Sequence, residues 1–337
     1  MRDILVSIII PAFNAGQFIE KCLTSICNQT YRNLEIIVTD DASTDCSVSI
    51  VQNMQEKDSR IFLIKLEENV GASTSRQIAV EHSNGELVTF VDSDDWYSAD
   101  DAIEKIVDIY IRNDVDCIMY AYRTIHKHRF SIKHPFRAGK GLHTVSEIAE
   151  VKANVPSPCW HYLWNKCYKG DLLRNSTLKF QPNLRLAEDV RFNEDFLRCG
   201  KKFYVMKNSF FYDYNCCNIN QVTRKRVDSS LENAILQFKC YKEELSKLLS
   251  DYAFLEVSDR AINGLYKQFF YNVCFLKKKE ANTEWAYTLN ELIVKDKMYM
   301  QCRDKLGTIS AKCINARANG KFIKNKIKEN IKKLMNM

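Results

Sequence analysis

Four short apolar runs alternate with segments of helical periodicity over the first hundred residues. Val6–Ile10, Leu34–Val38, Ile61–Ile64 and Leu87–Val91 are dominated by β-branched and aromatic side chains, as expected of strands buried on both faces. Between them, Phe18, Cys22, Leu23 and Ile26 recur at helical spacing, and Cys46–Gln55 and Ser75–Ser83 read as two further helices. This alternation predicts a mostly parallel α/β sheet with right-handed crossovers.

Polar signals fall where each run stops. Asn14 follows the first, Asp40 and Asp41 the second, Gly71 the third, and Asp92-Ser93-Asp94-Asp95 the fourth. In a parallel sheet these ends share one edge, and ligands bind in the crevice beyond the carboxyl ends of the strands. Three carboxylates in four positions repel one another, which favours a bound cation. Hard oxygen ligands suit Mg²⁺ or Mn²⁺, bridged in turn to substrate phosphates. Read alone, an Asp pair after a strand is more often a turn or helix cap, and it is the coincidence of four such ends that points to a site.

The pattern then loosens. Asp101 to Tyr110 predicts a helix and Asp116–Tyr122 a strand. Residues 123–150 are polar and carry Arg123, His126, Lys127, His128, Arg129, Lys133 and His134. With no acidic or cysteine partner at useful spacing, the histidines read as part of a solvated hairpin or acceptor-side loop, not a metal site. Ser157–Tyr168 is dense in aromatics, and Phe203–Val205 with Phe210–Tyr214 reads as a closing strand pair. Glu188-Asp189 reads as a helix start, where acidic residues favour the dipole. Beyond residue 226 the chain is helical, with an apolar stripe through Leu231, Ile235, Phe238, Tyr241 and Leu245. Lys312 to Lys333 holds eight Lys or Arg against Glu329, with Ile323, Ile327 and Ile331 on one face. Such a helix suits an anionic membrane surface, or is a solvated tail. No nucleic-acid-reading motif accompanies it.

Composition alters little. A 46% hydrophobic, 27% charged chain of 337 residues is ordinary globular material. Its thirteen cysteines show no metal or disulfide spacing, and no signal cleavage site or membrane-length apolar run is evident. The expectation is a cytoplasmic protein with reduced thiols, either free or peripheral on the membrane's inner face.

Ser7–Asn14, Glu35–Asp45, Asn69–Arg76 and Gly85–Asp95 occur in the order and spacing of family 2 glycosyltransferases, which this chain resembles over roughly residues 4–215. The resemblance implies a GT-A fold, with a catalytic domain over 1–225 (donor half 1–97, acceptor half 98–225) and a helical extension over 226–337. It implies that Pro11, Ala12, Asn14, Asp41 or Asp40, Gly71, Arg76, Asp92 and Ser93 bind a nucleotide-sugar. Asp94 would hold Mn²⁺ or Mg²⁺, with Asp95 as a second contact. Asp189 would be the catalytic base beside Glu188, and Trp164, Asn165 and Lys166 would lie on the acceptor side. The expected activity is inverting transfer of one sugar, most simply from a UDP-sugar, to a glycan or lipid-linked acceptor in cell-surface polysaccharide synthesis. The chain lacks an Arg-Trp pair, which processive relatives carry. Homo-oligomerisation is open. A nucleotidyltransferase would be expected to show a Gly-rich phosphate loop where Pro11-Ala12-Phe13-Asn14 stands. A non-catalytic binding module would be expected to lack Asp94 or Asp189.

Overall fold

The computed structural model describes residues 3–126, 129–133, 138–154, 160, 162–175, 178–180, 188–218 and 286–306, with single positions between 235 and 276. The chain divides into two units, Met1–Val151 with Ser157–Ile219 and Lys152–Pro156 with Asn220–Met337.

In the first unit, β1 (Val6–Ala12), β2 (Leu34–Asp40), β3 (Ile61–Lys65) and β4 (Leu87–Phe90) are parallel and ordered β3-β2-β1-β4. Sheet growth therefore reverses at β1, which opens a crevice between the carboxyl ends of β1 and β4. Alternate residues of β1 feed two cores. Ile8 and Ile10 face α1 (Ile19–Cys27), α2 (Ser47–Gln55) and α4 (Ala102–Asn113), whereas Ile9 joins Ile37 and Phe90 against α3 (Ala72–His82). α1 buries Ile19, Cys22, Leu23 and Ile26, and α4 buries Ile103, Ile106, Val107 and Tyr110. Each aliphatic residue so covered stabilises the fold by about 1.5–3 kcal/mol. Helix α4 stops at Asp114, whose φ of 45° is left-handed.

The rest of the sheet is mixed. β5 is Trp96–Tyr97, β6 Cys117–His126, β7 Arg129–Lys133 and β8 Gly141–Thr144. After α5 (Val145–Asn154) come β9 (Lys166–Lys169), α6 (Gly170–Asn175), α7 (Glu188–Cys199) and β10 (Lys202–Asn215). β9 runs antiparallel between β4 and β6, and β10 lies parallel to β6 with β8 and β5 along its other edge. Two expectations change here. Phe203–Val205 and Phe210–Tyr214 are one strand whose register slips between Met206 and Phe210, so the polar interruption is a bulge and not a turn. Helix α3 begins at Ala72, three residues early, because Gly71 at φ 87° supplies the break ahead of it. β6 and β7 form the hairpin expected of the basic segment.

In the second unit, α8 (Ala286–Val294) and α9 (Lys297–Leu306) are described. The basic stretch 312–333 lies outside the described residues. Among those described, no helix is long and apolar enough to cross a membrane.

Candidate active site

The loops after β1, β2 and β3 are laced together. Asn14, at φ 49°, donates its N–H to Ser43 Oγ, and its Oδ1 accepts from the Thr44 N–H at 2.8 Å. Pro11 and Ala12 lie beside Thr39 and Asp40 across the parallel ladder. Asp41 is buried, and its two carboxylate oxygens accept the N–H groups of Val70 (2.8 Å) and Gly71 (2.9 Å). Asp40 is equally buried. Its Oδ2 accepts the Ser43 N–H, while its Oδ1 has no partner among the described residues. An acceptor buried without a donor costs about 1–3 kcal/mol.

Beyond β4 the acidic cluster separates into different environments. Asp92 is paired at 3.0 Å with Arg76, which reaches over from α3 and is only 8% exposed. Ser93 and Asp94 are half-buried, and Asp94 Oδ2 accepts from Asn218 Nδ2 at 2.8 Å. Asp95 departs from the metal-ligand expectation. It is fully buried, with Oδ2 accepting the Tyr212 hydroxyl and Oδ1 the Asn215 N–H. Burial, followed by the charges of Asp92 and Asp94, pushes its carboxyl well above the usual range. Asp95 thus ties the cluster to β10. Beneath the cluster, the Cys22 thiol is pushed up by burial and by the same three carboxylates.

No group of three or more His, Cys, Asp or Glu side chains forms a metal cage among the described residues. Mg²⁺ and Mn²⁺ do not need one, since one or two carboxylates plus substrate phosphates suffice. Asp94, an oxygen donor still in contact with solvent beside the Arg76–Asp92 pair, fits that mode.

Helix α7 brings Asp189 to the same region. Phe192, one turn further along, packs edge-on to Phe90, the last residue of β4 (6.1 Å between ring centroids), and stacks on Phe180 at 4.0 Å. Residues three apart share a helix face, so Asp189 lies on the side of α7 that carries Phe192. Its carbonyl accepts Asn193 Nδ2, and Asn193 Oδ1 accepts the Tyr168 hydroxyl. That hydroxyl is pushed up by burial, then by Cys117 and the Asp189 charge, against the pull of Arg76. Asp189 and Arg76 are therefore both close enough to act on the one tyrosine, in opposite directions. The Glu188 side chain lies outside what is described.

Trp164, Asn165 and Lys166, expected on the acceptor side, are buried. Trp164 is 4% exposed, stacked on Tyr212 at 4.7 Å and on Tyr162 at 4.5 Å, with Tyr122 edge-on. Asn165 is fully buried, and its Oδ1 accepts Lys166 Nζ, which also donates to the Tyr162 carbonyl. The three form an internal brace. Reading the sequence also missed Tyr212 and Asn215, which hold Asp95 from β10, and Asn218 just past that strand, which holds Asp94. The alternation of β10 put Tyr212 on an inward face, but nothing in sequence marked Asn218.

A parallel β3-β2-β1-β4 sheet with an acidic cluster at its switch point, closed by an antiparallel insertion, defines a GT-A glycosyltransferase fold. The sequence model of Glycosyl transferase family 2 matches residues 7–169. The chain is 29% identical over 240 residues to glycosyltransferase GlyA of Streptococcus pneumoniae, covering 69% of itself and 34% of that protein. It is 30% identical to a GalNAc(5)-diNAcBac-PP-undecaprenol β-1,3-glucosyltransferase of Campylobacter jejuni, covering 65% of each chain. Among solved structures, S. aureus TarS 1–349 in complex with UDP-GlcNAc superimposes with a TM-score of 0.61 at 19% identity, over 89% of this chain and 90% of that one. Mannosyltransferase PcManGT of Pyrobaculum calidifontis, in complex with GDP-Man and Mn²⁺, gives 0.53 at 17% identity, over 95% and 88%. Residues 7–169 are thus of the glycosyltransferase family 2 type, and the relatives they align with are named glycosyltransferases.

Proposed function

We propose that the protein transfers one sugar, with inversion, from a UDP-sugar to a hydroxyl of a lipid-linked glycan during bacterial surface polysaccharide synthesis. The observation that carries this is the meeting of three elements at one crevice. Arg76 and Asp92 come together at 3.0 Å, Asp94 keeps solvent contact beside them, and Asp189 stands one turn from the ring packed on Phe90.

In this reading the nucleotide lies across the ends of β1 and β2, bordered by Pro11, Ala12, Asn14 and Gly71. Asp41 accepts from the base, with Asp40 beneath it, and Asp92 and Ser93 meet the ribose. Asp94 would hold Mn²⁺ or Mg²⁺, which when bound neutralises charge on the diphosphate. Arg76 adds a fixed cation for the departing diphosphate. Asp189 takes the proton from the acceptor hydroxyl as its oxygen attacks the anomeric carbon. General-base help of this kind is worth about 10²–10⁴-fold. A UDP-GlcNAc complex of one fold relative supports the donor class, and a GDP-Man and Mn²⁺ complex of another supports the metal. A PP-undecaprenol-linked substrate in the name of a sequence relative supports the acceptor class.

The test is calorimetry with UDP, GDP, CDP and TDP, with and without Mn²⁺. The expected result is UDP binding that requires metal and disappears in Asp94→Ala. Metal-independent binding, or preference for another base, overturns the assignment.

A further inference from the structure

We infer that the β6–β7 hairpin is a docking surface for an anionic lipid bilayer. The strands pair from Tyr122 with Lys133 to His126 with Arg129. That register puts Arg123, Ile125, Phe130 and Ile132 on one face. Phe130 is 59% exposed and Ile132 46%, although both belong to a regular strand that could have carried polar residues there. The Arg123 guanidinium sits 5.4 Å over the Phe130 ring.

The charge of this segment is one-sided. From Cys117 to Ser146 there is no Asp or Glu, while Arg123, Lys127, Arg129, Lys133, Arg137 and Lys140 are all basic. Asp213 neutralises Arg123 through contacts of 2.5 and 2.6 Å. The other five have no counter-charge within the stretch.

Exposed apolar side chains among cations are what a bilayer interface selects. The rings and aliphatic chains enter the headgroup boundary, and the basic residues meet lipid phosphates. A second copy of the hairpin is disfavoured as occupant, since it would set like charges face to face. A nucleic acid would use the cations and leave Phe130 and Ile132 without a role. The position is apt, because Ile125 O accepts the Cys216 N–H beside Asn215, which holds Asp95. The hairpin thus rises from the sheet edge that carries the acidic cluster. Membrane contact there requires neither donor nor acceptor, so it stands or falls apart from the transfer reaction.

The test is co-sedimentation of the full chain with phosphatidylcholine vesicles with and without phosphatidylglycerol. Binding only to the anionic vesicles is expected, with release at high salt. Phe130→Ser with Ile132→Ser should weaken it about tenfold or more. Lys127→Gln with Arg129→Gln, which keeps Phe130 and Ile132, should weaken it about fivefold or more. Unchanged thermal unfolding of both variants shows that the fold holds. Four results overturn the inference. These are no vesicle binding, equal binding to both vesicle types, and full binding by the Phe130/Ile132 variant while Lys321→Gln with Lys324→Gln and Lys326→Gln abolishes it. The fourth is self-association or duplex DNA binding that depends on the hairpin without vesicle binding.

Discussion

Asp92 and Trp164 are the most conspicuous residues of the motifs in their two halves of the sheet, and they end in opposite surroundings. Asp92 stands at the mouth of the crevice, paired with Arg76 and open to solvent over 29% of its side chain. Trp164 is stacked between tyrosines with 4% exposure. The difference follows from where each lies on its strand. The donor motifs follow the carboxyl ends of parallel strands, where the backbone leaves the ladder and polar side chains face the crevice. The Trp-Asn-Lys motif enters β9, an antiparallel strand inserted between β4 and β6, so its residues become the joint between the two halves. A motif can thus mark a family from inside the fold.

The largest effect that would break this comparison is chemical. Asp189→Asn keeps the shape of α7 and removes the base. Turnover is expected to fall about 10²–10⁴-fold with UDP affinity unchanged, measured by sugar-transfer kinetics beside calorimetry. Full turnover would remove Asp189 from the chemistry and leave the donor half with all of it.

Trp164→Ala is next, and its expected effect is on stability. Removing a buried indole costs about 3–5 kcal/mol, read as lower thermal unfolding of the catalytic unit, and Trp164→Phe should recover part of it. If instead the fold held and only the acceptor KM rose, Trp164 would be a sugar platform and the contrast with Asp92 would collapse.

The limits of sequence reading follow from the same contrast. Val6–Ile10, Leu34–Val38 and Leu87–Val91 were legible as strands because a parallel strand buried on both faces has to be continuously apolar. Asp92 and Asp94 were legible because they interrupt such runs at the one place where a polar residue is tolerated. Asp95 was not, since a carboxylate that serves Tyr212 and Asn215 from beneath looks, in sequence, like its neighbours. β9 was hidden as well. Four residues wide, it carries no periodicity, and its place between β4 and β6 depends on partners some 50 to 80 residues away. The Phe130–Ile132 pair was visible as letters, but its exposure became visible only with the hairpin's register.

The smallest expected effect sharpens the donor half from within, because Asp40 and Asp41 are adjacent, equally buried and differently used. Both oxygens of Asp41 already hold the amides of Val70 and Gly71. In Asp41→Asn one of those amides meets an NH₂ group, so a hydrogen bond to a charged acceptor, worth about 1.5–3 kcal/mol, is lost from the loop that frames the nucleotide. UDP affinity is expected to fall roughly ten- to a hundredfold, with faster amide exchange at Val70 and Gly71. Asp40→Asn keeps an oxygen for Ser43 and changes only the unpartnered position, so a loss of less than about tenfold is expected. Should the order reverse, with Asp40→Asn the more damaging and exchange at Gly71 undisturbed, the base would be read by the open Oδ1 of Asp40. Asp41 would then be a loop clamp, as Asp95 is a clamp for the acidic cluster, and the donor half too would be seen to spend its most conspicuous carboxylates on holding its own loops.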